Sequence, residues 1–84
     1  MRAKHRRTLE KMFRMPTPAD IRWADIITML KATGVEVHER SGSRVLFKKG
    51  VERIVVHRPH PEPHTGRATV RDIVAFLKAI GVKP

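Results

Sequence analysis

The chain has 84 residues, enough for one folding unit and too few for two separate cores. Hydrophobic residues make up 40% and charged residues 31%, as in an ordinary soluble globule, and no apolar run approaches the roughly 18 residues of a membrane span. There is no cysteine, which excludes a disulfide framework, a thiolate metal site and a cysteine nucleophile, while 18 Lys and Arg against 8 Asp and Glu leave a net charge of +10 that attracts nucleic acid or an acidic protein.

Residues 1–15 hold six bases (Arg2, Lys4, Arg6, Arg7, Lys11, Arg14) and one acid, Glu10, which is half of the net charge. No apolar stretch follows them as it would in a secretory signal, so a cytoplasmic location is expected. Leu9, Met12 and Phe13 have helical spacing, which predicts a short amphipathic helix ending before Pro16 and Pro18. Residues 1–16 are expected to form a basic arm, with 1–14 dispensable to the core, and residues 17–84 a single domain. Trp23, Ile26, Ile27 and Leu30 fall at i, i+3, i+4 and i+7, predicting a core-facing helix capped by Thr17 or Asp20 and stopped by Gly34.

Residues 35–40 alternate as a strand should, and Ser41-Gly42 turns the chain. Residues 44–48 and 53–57 are two β-rich runs joined through 49–52 as a hairpin. Putting Val45, Phe47, Ile54 and Val56 on the core face requires paired residue numbers to sum to an odd value such as 101. Arg44, Leu46, Val55 and His57 then share the other face. Pro59, Pro61 and Pro63 remove ladder donors, so residues 58–66 are expected to be an extended loop. Val70, Ile73, Val74 and Leu77 predict a last helix, with Gly81 past its end. The likeness of Leu30-Lys-Ala-Thr-Gly-Val35 to Leu77-Lys-Ala-Ile-Gly-Val82 is read as two helices sharing a glycine stop rather than as an internal repeat. The order is helix, three antiparallel strands, helix: an α+β domain with one sheet face buried and the other open, resembling the double-stranded-RNA-binding fold with an additional N-terminal basic helix.

From Ile21 to Val82 the chain resembles the HicA toxin family. The resembling features are the first helix ending Leu30-Lys-Ala-Thr-Gly34, the Gly42-Ser43-Arg44-Val45-Leu46-Phe47 strand opening, a strand running into His57-Arg58-Pro59-His60, and the Val70-Arg71-Asp72-Ile73 helix. The resemblance implies a ribosome-independent mRNA endonuclease, inhibited by an acidic HicB-type antitoxin that covers its active face. It also implies a toxin that is monomeric alone and hetero-oligomeric with its antitoxin. The family's usual Gly-Ser-His-x-x-Phe motif carries the catalytic histidine, and this chain has Arg44 at that position.

Metal-independent cleavage of RNA uses the 2′-hydroxyl as nucleophile and asks the protein for a base, an acid and cations around the phosphate. Histidine suits both proton roles near neutrality. His57, on the open face beside Arg44, is the first candidate for the catalytic proton carrier, His60 on the Pro-flanked loop the second, and Arg44 the phosphate holder. Ser43, Arg44, Lys48, Arg53, Arg58, Arg67, Arg6 and Arg7 are the expected contacts to single-stranded regions of mRNA. Leu46 and Val55, apolar on the open face, are expected to face the antitoxin. His38 is expected to be structural or superficial. His57, His60 and His64 fall within eight residues, but the interleaved prolines and the lack of cysteine or paired carboxylates argue against zinc, and no cofactor is expected. Two other functions fit the residues: a catalytically silent RNA-binding module, which the Arg44 substitution permits, and a subunit whose basic surface docks an acidic antitoxin.

Overall fold

The computed structural model describes all 84 residues. Helix α1 spans Ala3–Met12, strand β1 Ile21–Arg22, helix α2 Trp23–Ala32, β2 Glu36–Glu39, β3 Arg44–Lys49, β4 Glu52–His57, β5 His64–Thr65 and helix α3 Arg67–Ala79. Strands β2, β3 and β4 form an antiparallel sheet with β3 in the centre, and β1 pairs with β5 in a separate two-stranded ribbon. The α+β architecture, helices on one face of a three-stranded antiparallel sheet, is the one the sequence pattern predicts.

One core of 14 apolar side chains joins the three helices to the sheet, with Ile26, Met29, Leu30, Phe47, Val70, Ile73 and Leu77 wholly enclosed. Trp23 covers Phe47 at a ring-centroid distance of 6.0 Å. Leu9 and Met12 keep only 2% and 1% of their surface exposed, so α1 is seated in this same core. That corrects the expectation that residues 1–14 are dispensable: the helix's apolar edge is a part of the packing, and Lys11 further ties it to Asp20 at 3.2 Å.

Helices α2 and α3 end in the same way. Gly34 takes a φ of 85° and Gly81 a φ of 81°, a left-handed conformation that glycine adopts without a Cβ penalty. The Val35 N–H then reaches the Leu30 carbonyl at 3.1 Å, and the Val82 N–H reaches that of Leu77 at 2.9 Å. Each Leu-Lys-Ala-x-Gly-Val segment is therefore a Schellman stop, in which the final valine closes the turn over the leucine. The start of α2 differs from expectation. Its N-cap is Arg22, with no side-chain cap, because the preceding residues are extended in β1, and the Trp23 N–H donates instead to the Pro63 carbonyl at 2.9 Å. Neither Thr17 nor Asp20 caps it. In α3 the core residues include Phe76, which the periodicity passed over, while Val74 stands half-buried at the flank.

Candidate nucleic-acid interface and its histidine

The β3–β4 hairpin closes through Gly50-Val51, with Gly50 at a φ of 61° as first central residue. A two-residue connection fixes the register, here Lys49 opposite Glu52 through Arg44 opposite His57, all pairs summing to 101. Val45, Phe47 and Val56 accordingly go into the core, and Arg44, Leu46, Lys48, Arg53, Val55 and His57 onto the opposite face.

The ladder brings these side chains close. The Arg58 N–H donates to the Ser43 carbonyl at 2.7 Å, just outside the Arg44–His57 pair. By the alternation of an antiparallel ladder, Arg44–His57, Leu46–Val55 and Lys48–Arg53 are then non-hydrogen-bonded pairs, whose Cα atoms approach to about 4.5 Å instead of about 5.5 Å. Strand β2 adds a third column: Glu36 lies opposite Lys48 and His38 opposite Leu46, and the Arg40 N–H continues the ladder to the Arg44 carbonyl at 2.9 Å. The open face thus consists of three rows, Arg40-Arg44-His57, His38-Leu46-Val55 and Glu36-Lys48-Arg53. It carries four permanent cations, two histidines and one carboxylate.

At one corner, Ser43 Oγ lies 3.2 Å from His57 Nδ1. If the hydroxyl donates, Nε2 carries the ring proton; if Nδ1 donates, Nε2 is a free lone pair. Both forms aim their working nitrogen away from the serine. Arg44, directly across, donates to Ser41 Oγ at 2.9 Å and to the Ser41 carbonyl at 3.4 Å, which leaves three of a guanidinium's five N–H donors unused. His57 and Arg44 are both exposed. His60 is exposed on the loop between β4 and β5, which is pinned at Arg58 to Ser43 and at Pro63 to Trp23.

The other expected RNA contacts lie elsewhere. Arg58 follows His57, so alternation turns it to the helical side, where it pairs with Glu39 at the sheet edge. Arg67 donates to the Thr17 carbonyl at 3.0 Å, joining α3 to the segment before β1. Arg6 and Arg7 are exposed on α1, in the helical layer. Of the two apolar residues on the open face, Val55 is 57% exposed but Leu46 only 8%, because the central strand lets its neighbours on both sides cover it. His57, His60 and His64 do not gather with one another or with a carboxylate into a group of three metal donors. Sequence reasoning missed Arg40 and set His38 aside. The alternation of residues 36–40, combined with a β2–β3 register, would have put both on the open face.

A three-stranded sheet with helices on one side and a cationic face with one serine-bonded histidine on the other defines a small basic α+β protein with a surface suited to polyanions. Residues 23–82 match the family described as HicA toxin of bacterial toxin–antitoxin, and the chain belongs to that family. It is therefore a toxin of a toxin–antitoxin pair, with an antitoxin as partner. No curated protein and no solved structure matches the chain. No helix is long and apolar enough to cross a membrane.

Proposed function

We propose that the protein is a metal-independent endoribonuclease, an mRNA interferase that cuts single-stranded mRNA without the ribosome and is inhibited when an acidic HicB-type antitoxin covers the open sheet face. The observation that carries this reading is the hydrogen bond between Ser43 and His57 beside Arg44, at the end of a face with few anions. His57 Nε2 takes the proton of the 2′-hydroxyl, the 2′-oxygen bonds to phosphorus, and the bond from phosphorus to the 5′-oxygen breaks. That oxygen leaves with a proton from a second carrier, His60, giving a 2′,3′-cyclic phosphate and a 5′-hydroxyl. Arg44 holds the phosphate whose charge grows in the transition state, and Lys48 and Arg53 hold its neighbours in the strand.

The family's histidine position is occupied by Arg44, and cross-strand pairing supports His57 as its replacement. Cβ atoms of directly opposed residues are about 4.5–5.5 Å apart, so an imaginary imidazole at 44 and the real one at 57 reach the same phosphate from adjacent strands. The alternative is a catalytically silent RNA-binding or antitoxin-docking module, favoured by the fact that Arg44 already spends donors on Ser41.

Purified chain and a 5′-labelled RNA decide between them. Cleavage in EDTA is expected, with His57→Ala slowing it by about 10² to 10⁴ and leaving the fold and antitoxin binding intact. A strand with deoxyribose at the cut position is expected to survive, having lost the nucleophile. Cutting of that strand, or a wild-type rate from His57→Ala, would overturn the mechanism.

A further inference from the structure

The helical side of the molecule carries a second surface that the sheet chemistry leaves unused. Between the end of α1 and the outer flank of α3 lie two adjoining hollows of about 360 and 520 Å³ that share Phe13 and Lys78. Their apolar lining includes Phe13, Met15, Val74 and Val82. Met15 is 86% exposed, a large apolar side chain with nothing packed on it. Around them stand Arg14, Arg71, Lys78 and Lys83, with no Asp or Glu among the lining residues. None of these four cations is paired with a carboxylate, although Lys4, Lys11 and Arg58 are.

We propose that this groove is a docking site for an acidic, amphipathic segment of a protein partner, whose apolar side chains fill the floor while its carboxylates meet the four cations of the rim. Charge complementarity selects the occupant. The rim leaves its positive charge for a partner to balance, and the floor asks for aliphatic or aromatic side chains, which a phosphodiester chain does not supply. Unbranched Met15 adapts its shape to such side chains. Phe13, whose ring lies 5.9 Å below Lys78 Nζ, is the one aromatic available, too few for stacking successive bases. The groove lies on the helical layer and the cationic sheet face on the other side, so both can be occupied at once. The site does not depend on the nuclease reading.

Selection of a randomised peptide library, about twelve residues long so as to span three turns of helix, on the folded full-length chain tests this. Enriched peptides are expected to combine Asp and Glu with Leu, Ile or Phe, and to shift the amide resonances of Phe13, Met15, Val74 and Lys78. Lys78→Glu and Lys83→Glu, both at exposed positions and expected to leave the thermal transition in place, should weaken the peptides by about tenfold or more. Lys31→Glu, the same charge change on α2, should weaken them far less. Enrichment of no acidic and apolar sequence, or peptides that shift sheet residues instead, would overturn the proposal. So would displacement of the peptides by a uridine oligonucleotide that shifts the same groove resonances, which would make the surface an RNA site.

Discussion

An imidazole bonded through one nitrogen presents the other to a substrate, and at His57 the bonded side is Ser43. Ser43→Ala should therefore lower the turnover number more than it raises KM, because it removes an orienting contact and leaves the cationic face whole. If the Arg44–His57 pair is one catalytic corner read from two strands, its members are interchangeable. The double variant Arg44→His, His57→Arg should regain a measurable part of the cleavage that His57→Ala loses, and a rate no better than His57→Ala would show that the strands are not equivalent. This pair was legible in the sequence, since odd-sum register and alternation are enough to join residues 44 and 57. The same alternation puts Arg58, next to His57 in sequence, on the opposite face, where it pairs with Glu39. Leu46 lies on the expected face but is only 8% exposed, because alternation tells which face a residue is on and not how deeply its neighbours cover it.

At the scale of elements, the amphipathic pattern of residues 4–14 reveals an apolar edge but not the surface that takes it. The packing settles that. Met12→Ala and Leu9→Ala should each cost about 2–5 kcal/mol in urea unfolding, the range for emptying a well-packed site, and deletion of residues 1–14 should lower the thermal midpoint sharply. The ribbon of β1 and β5 was not legible at all, for two residues on each side make no periodic signal. Asp20 offers a milder test of how α1 is held. The Lys11 ammonium, hydrogen-bonded to it, holds its carboxyl below the usual range. A lowered folded-state pKa means stabilisation that is present above the ordinary carboxylate range and is lost as pH falls through the lowered value. Wild type should therefore lose more of its thermal midpoint on acidification than Asp20→Asn, with a small difference because the carboxylate is exposed.

For the whole molecule, the net charge of +10 predicts RNA binding that falls steeply with salt, by a log–log slope of roughly −0.7 for each phosphate neutralised on a single strand. Lys48→Ala and Arg53→Ala should each reduce the steepness by about one such increment. Titration in potassium chloride with a labelled oligonucleotide measures it, and an unchanged slope in both would place the bound strand off the sheet. The seating of α1 in the helical layer has a kinetic consequence. Arg2, Arg6 and Arg7, and Arg14 just beyond the helix, are exposed on the helical side, so a polyanion meets attraction from either side. Capture then becomes nearly independent of the orientation in which two molecules collide, at the cost that many first encounters are with the wrong side. Such a molecule rotates or transfers before it reacts, and with long RNA in excess of protein the delay shortens, because a strand held at the back keeps its neighbouring segments within reach of the front.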